Sequence, residues 1–571
     1  MRKIFPVLLT IAMAGCTNLD EKVIDEVLGS NNSNPENAIA AAYGQLGDAT
    51  FVDHGNVFAL QEYSTDEAVL PQRGSDWGDG GVWRAVHEFT WGADNSVLTN
   101  TWNNLNSGIT KSLTAITTIN SKPDFTNKKL FMAEAKGLLA FYTYHTLDLF
   151  GQAPYKDPLN PNATLEVKKA DVAIDELIAD VEALLPDLAN IGDVHNGRFS
   201  KQAAYGLLAD MYLNRAVFKD RYAASFNFAA ADMDKVISYT TQIIDNPRFH
   251  LESNYFKSFD IDNNGAPELV FVVSQDINTL RNSDNDFAYM TMERNQKPSA
   301  ANSNRGTNAS CTTPEFYNTW AGNMDDPRFS RKYQYEDGTW FMNDGTDVSV
   351  PATSLVVGTT SPWFHFNRGL LAGQQYGPIL AGGNLERTAD GRIKVSKLVC
   401  EKNTTLPMDF TPELNFDVPT QAVFTQAQIN RGVRVFKFEF DPGKDNSSSN
   451  VDIPLYRLGG IYCMRAEAYF RSNRAALAMD DINKLRTTRT REALYANAPG
   501  KAITSLDEKT LYNEIGYEMY WEMNRRKEMI RFGKFEEGCS GKAPSKAFRR
   551  IYPIPQSTLD ASGAFKQNKD Y

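Results

Sequence analysis

Tryptophans set among carboxylates, guanidiniums and glycines are the side chains of this 571-residue chain with the clearest chemical use. Asp66, Arg73, Asp76, Trp77, Asp79, Trp83 and Arg84 fall close together, amid Gly74, Gly78, Gly80 and Gly81. A sugar presents apolar C–H faces and hydroxyl edges. A flat indole beside groups with hydrogen-bonding capacity to spare is therefore the combination that holds one. The glycines between 78 and 81 argue against a continuous helix and predict that Trp77 projects from a loop. The alternative for Trp83 and Trp91 is packing, as plugs at the interface between the helical layer and the insertion. A second set comprises Trp320, Trp340, Trp363 and Arg368. Trp320 follows Pro314-Glu-Phe-Tyr-Asn-Thr, a short amphipathic helix in which Phe316 and Tyr317 turn inward and Trp320 faces out. Arg368 lies in the alternating stretch Phe364 to Gly369, where it reads as a ligand contact or as a paired structural residue. Trp521 belongs to a long apolar helical pattern and is assigned to the core.

Other chemistries find less support. There is no Gly-x-Ser-x-Gly elbow, and the stretch from Gly533 carries Cys539 where a phosphate-binding loop requires Lys. Six His without HExxH, and cysteines far apart without CxxC, give no sign of a metal or cofactor site. Cys463 sits in an apolar helical pattern as a small core residue; a disulfide among Cys311, Cys400 and Cys539 stays open. Acidic side chains are plentiful, but abundance does not place an acid and a nucleophile ~5 Å apart. The net charge of −11 argues against a nucleic-acid partner, whose phosphates demand a basic face.

The elements that must position these residues are mainly α-helical. Residues 35–247 read as helices, 248–451 as short strands and long loops, and 452–571 as helices again. Asn127 to Phe150 follows the 3.6-residue period and stops at Gly151 with Pro154 beyond. Ala170 to Leu185 stops at Pro186, Ser200 caps a third helix, and Phe228 to Ile244 forms a fourth. Ala and Gly on facing sides suit close helix pairs, a TPR-like helical-repeat scaffold without the strict repeat. In the last zone Asp452 reads as a cap with Pro454 in the first helical turn. A partner helix runs from Ala475 to about Leu494, and one long helix from Asp507 to Phe532. Glu268 to Val273 reads as a strand. A loop-rich insertion of this length is uncommon unless it serves a function.

The N-terminus reads as a lipoprotein export signal. Arg2 and Lys3 precede an apolar run, Ile4 to Ala14, too short to span a bilayer, and Met13-Ala14-Gly15-Cys16 forms a cleavage box. Residues 1–15 are then a signal peptide, Cys16 is lipidated, and 16–34 form a polar stalk too poor in apolar residues to fold. Two or more acyl chains, at about 0.8 kcal/mol per buried CH₂, make a stable anchor. Residues 35–571 form one domain.

Four blocks carry a family resemblance. They are Ala133 to Gly151 with Ala153-Pro154; Gly197-Arg-Phe-Ser to Leu213; Tyr456-Arg-Leu through Arg465-Ala-Glu-Ala-Tyr469 with Ile482-Asn-Lys-Leu-Arg486; and Glu514 to Gly533, leading to Tyr552-Pro-Ile-Pro555 and Gln567-Asn568. Together with the lipobox they resemble the SusD/RagB family of outer-membrane nutrient-binding lipoproteins, end to end. The resemblance implies a SusD-like α-α superhelix with a large irregular insertion. It also implies a cell-surface lid that captures a glycan and passes it to a SusC-like TonB-dependent transporter, without catalysis. In the family the early region that here holds Trp77 is among those contacting ligand. Arg465, Glu467, Arg525, Arg526 and Glu528 within the blocks read as interhelical ion pairs. The acidic composition leans toward a neutral glycan such as a fructan or glucan. A peptide-binding member of the fold and an endo-glycosidase are the rival readings.

Overall fold

The computed structural model describes residues 34–74, 76–160, 162–276, 286–299, 305–331, 355–357, 363–413, 429–441, 449–491 and 498–571. Cys16, the stalk before residue 34 and Trp340 lie outside them. The N-terminal zone contains α1 (Pro35–Gln45), α2 (Val82–Glu88), α3 (Ser96–Ser121), α4 (Lys128–Phe150), α5 (Ala170–Leu184), α6 (Lys201–Lys219) and α7 (Ala230–Ile244). Side-chain caps start several of these helices. Asn95 accepts from Val97 N at 2.9 Å and Ser200 from Ala203 N at 3.2 Å, each satisfying an amide that the helix leaves orphaned. Gly151, at φ 69°, terminates α4 as expected.

The helices stack in neighbouring pairs: α1 on α3, α3 on α4, α5 on α6, and α6 on α7. Glycine makes the approach close. A Cβ at Gly108 of α3 would collide with the Tyr142 ring of α4, and one at Gly137 with Phe199. The insertion holds two short helices, α8 (Asp286–Tyr289) and α9 (Pro314–Thr319), among small antiparallel ladders. The C-terminal zone supplies α10 (Leu458–Arg471), α11 (Ala475–Thr488), α12 (Glu508–Met519), α13 (Arg525–Arg531) and α14 (Gln556–Ala561). Packing of α10 on α7 continues the stack across the insertion, and the fold is the helical scaffold with a loop-rich insertion.

Two expectations fail for reasons of tertiary pairing. Residues Ile453–Arg457 are not a first helical turn but a strand, antiparallel to Leu269–Val273. Asp452 caps no helix; its carboxylate accepts from Gln275 N at 2.8 Å, beside the partner strand. The long C-terminal helix is broken, because Trp521 and Met523 adopt φ 65° and 60°. Amides at the break are taken by buried carboxylates from far away: Glu67 accepts from Trp521 N at 2.6 Å and Glu62 from Asn524 N at 2.9 Å. Trp521 is fully buried, as assigned.

The same zone buries an ionic network. Arg457 meets Glu518 at 2.7 Å and Glu522 at 2.6 Å, Lys437 meets Glu522 at 2.5 Å, and Arg328 meets Glu514 at 2.8 Å. Burial pushes the Glu518 carboxyl up, but Arg489, Arg457 and Arg328 outweigh it and hold the group at about 2. The family-block charges behave as read: Arg465 pairs with Asp481, Arg531 with Glu467, Arg526 with Asp148, and Arg525 with both Asp66 and Glu528. Cys311, Cys400, Cys463 and Cys539 are free thiols.

Candidate functional site

The segment after Tyr63 leaves the helical layer to meet the insertion. Ala68–Val69 pairs antiparallel with Cys311–Thr312, and Arg73 and Asp76 close a turn through mutual backbone hydrogen bonds of 2.9 and 3.0 Å. Trp77 then takes φ 59°, with Gly80 at 68° and Gly81 at 85°. Left-handed backbone of this kind interrupts a helix until Val82. Trp77 therefore projects from a loop, and its Nε1 donates to Thr307 O at 3.1 Å. Trp83 stands in the first turn of α2, its Nε1 donating to the exposed Asp79 carboxylate at 2.8 Å.

The two indoles flank His54. Ring centroids lie 5.1 Å apart at 84° for Trp77 and 5.2 Å apart at 35° for Trp83. Both indoles remain half-buried rather than enclosed. Charged side chains of the insertion meet the residues next to Trp77 and its acceptor: Lys402 and Arg294 approach the Asp76 carboxylate at 2.5 and 3.3 Å, and Arg305, two residues before Thr307, pairs with Glu401 at 2.8 Å. Beneath the rings, His54 pairs with Asp286, and Asp53 lies beside them. Burial works to lower the His54 pKa, but the charge and hydrogen bond of Asp286, with the charge of Asp53, raise it. Burial first, then the Asp286 charge, raises the Asp53 pKa. Burial opposes ionisation of Asp286 as well, yet its contacts with His54 prevail and lower its pKa.

Trp77, Asp79 and Trp83 thus come together, whereas other sequence candidates are committed to structure. Asp66 is gripped by Arg525 at 2.7 and 3.0 Å and accepts from Tyr512 Oη at 2.9 Å. Arg73 is 2% exposed and donates to Ala309 O, Arg431 O and Cys311 Sγ. Trp320 turns inward, stacked on Tyr517 at 3.9 Å and packed on Phe329; the helix α9 places it in the core because α12 covers that side. Arg368 is fully buried between the Phe256 and Phe436 rings, paired with Asp260 at 2.7 Å. Trp363 is half-buried beside His365. Trp91 is buried, 3% exposed, but it packs on Phe89 and Tyr552 with Nε1 donating to Tyr571 Oη at 3.1 Å, against the C-terminal tail rather than the insertion. Arg84 spends its charge on Glu88 at 2.5 Å. Sequence reasoning missed His54, Asp53 and Asp286, along with Arg294, Arg305, Glu401 and Lys402. The adjacent Asp53-His54 dipeptide was the one local signal.

An indole pair with charged groups nearby suits a ligand of flat apolar faces and hydroxyl edges. Comparisons with known proteins bear on what that ligand is. Residues 267–571, more than half of the chain, match the model of the SusD family. Residues 19–213 match a model described as starch-binding, associating with the outer membrane. The chain is 24% identical to starch-binding protein SusD of Bacteroides thetaiotaomicron over 461 residues, 77% of this chain and 72% of that one. A laminarin-binding SusD-like protein shares the fold with a TM-score of 0.64 at 16% identity, over 94% of this chain and 99% of the other. Surface glycan-binding protein A of B. thetaiotaomicron, solved with laminarihexaose, gives 0.64 and 16% over 94% and 98%. From the helical stack, the inserted loops and the matched residues, the chain belongs to the SusD family.

Proposed function

We propose that this protein is a non-catalytic surface receptor that stacks a neutral glycan on Trp77 and Trp83. It is lipid-anchored through Cys16 at the outer membrane and hands its ligand to a SusC-like TonB-dependent transporter. The observation that carries the reading is the half-buried indole pair held by Thr307 O and Asp79, with charged groups nearby. Relatives named for starch and laminarin favour a glucan over a fructan. No helix among the described residues is long and apolar enough to cross a membrane, in keeping with attachment by acyl chains.

Calorimetric titration of the protein starting after Cys16 against a panel of starch, laminarin, fructan and peptides tests the ligand class. Binding to a glucan is expected. Binding to a peptide and to no glycan overturns it. Replacing Cys16 by Ala should release the protein from membranes and leave the titration unchanged. Recovery of the transporter with the anchored protein, after mild detergent extraction, tests the partner.

A further inference from the structure

Beneath the indole pair, Asp53, His54 and Asp286 each offer one donor atom, and the three atoms lie within 4.8 Å of one another. We propose that this triad is a site for a divalent first-row transition metal of the Zn²⁺ or Mn²⁺ type, clamping the loop that carries His54 to α8 of the insertion. The proposal stands apart from what the tryptophans bind.

Donor chemistry sets the class of ion. Two carboxylates and one imidazole form a mixed oxygen and nitrogen set, which suits Zn²⁺ or Mn²⁺. Ca²⁺ instead takes six to eight oxygens, and Mg²⁺ keeps most of its waters. Three protein donors also leave positions for water or for a ligand hydroxyl.

Geometry supports a built site. Both carboxylates are oriented by backbone amides: Gly55 N donates to Asp53, and His54 N donates to Asp286 Oδ2 at 3.1 Å. Asn104 donates to Asn56 Oδ1 at 2.8 Å, and the Asn56 side chain in turn hydrogen-bonds Asp53. Outer partners of this kind fix ligands in place. The Trp77 and Trp83 rings hold the imidazole from two sides.

Charge and hydrogen-bond accounting point the same way. An ion pair between His54 and Asp286 alone would leave the Asp53 carboxylate facing the pair without an opposite charge from the triad. The covered His54 Nε2 has no hydrogen-bond partner among the described residues. A divalent ion answers both carboxylates at once. All three residues are partly exposed, which gives an ion a way in.

The clamp joins distant parts of the chain. His54 and Asp286 are 232 positions apart, and a bound ion would fix the floor on which both indoles rest.

Titration of chelator-treated protein with Zn²⁺, Mn²⁺, Ca²⁺ or Mg²⁺, without glycan, tests the site by calorimetry and tryptophan fluorescence. One equivalent of Zn²⁺ or Mn²⁺ is expected to bind, with a change in fluorescence. Asp286→Asn, Asp53→Asn and His54→Gln should each weaken binding by about 100-fold or more, since loss of even an outer partner costs roughly 10–100-fold. Circular dichroism identifies any variant that fails to fold. A crystal of the parent protein soaked in Mn²⁺ should give an anomalous peak between the three side chains. Absence of that peak, no binding by the parent, or equal affinity in the folded variants overturns the proposal. Because no glycan enters these assays, their failure leaves the receptor reading intact, and failure of the glycan panel leaves this one intact.

Discussion

Around Glu518, guanidiniums, carboxylates and tyrosine rings are sealed from water, whereas around His54 the same kinds of side chain stay partly open. Arg457, Arg489 and Arg328 are at most 1% exposed and converge on one carboxylate. Their planar faces lie over rings, as Arg457 does over Tyr255 at 5.6 Å. At the His54 end the indoles are half-buried and the charged groups are partly exposed. Residue type does not separate the two regions; exposure to water does. A buried charge network fixes a shape because removing one member strands the others in low dielectric. An open one can be reached from solvent.

The largest expected effect tests the sealed half. Arg457→Ala should cost about 3–5 kcal/mol in urea denaturation, by leaving Glu518 and Glu522 underpaired. The affinity of the folded protein for the glycan selected from the panel should not change, and a parallel loss would break the comparison. A pH effect follows from His145, which is buried; burial, then the Lys527 charge, holds its pKa at about 4. Below about pH 6.5 the unfolded chain takes up a proton that the folded chain refuses, so stability present at neutral pH is lost as pH falls toward 4. The parent should lose about 3 kcal/mol more than His145→Gln across that window, read from denaturation midpoints at each pH. On the open half, Trp83→Ala should reduce affinity by about 2 kcal/mol, roughly 30-fold. Its stability should change by no more than about 1 kcal/mol; unfolding instead would show that the ring is scaffold. The smallest effect joins the halves. Asn95 caps α3 and also donates to Val82 O at 3.2 Å, at the start of the helix that presents Trp83. Asn95→Ala should cost about 1 kcal/mol of stability, with a smaller loss of affinity than Trp83→Ala shows.

How much of this was legible in the sequence depended on how local the deciding contact is. Ser200, Gly151 and the glycines after Trp77 act within a few residues, and the helix start, the helix stop and the loop they predict are found. The break at Trp521 was not legible, because the carboxylates that capture its amides come from residues 62 and 67. Pro454 looked like a first-turn proline until Val272 was placed opposite it. Trp320 was assigned the wrong side, since one turn of amphipathic pattern cannot say which face α12 covers. The Asp53-His54 pair carried no visible meaning alone, and nothing in composition brings Asp286 to it.

The capture of Trp521 N by Glu67 spans 454 positions. At about 5–20 residues per second, ribosomal synthesis separates those partners by about 20–90 seconds. Throughout that interval the Glu67 carboxyl lacks the Trp521 amide, although the strand that follows it can already pair with Cys311–Thr312. A buried contact beside the strand that leads to Trp77 is therefore completed only from the end of the chain.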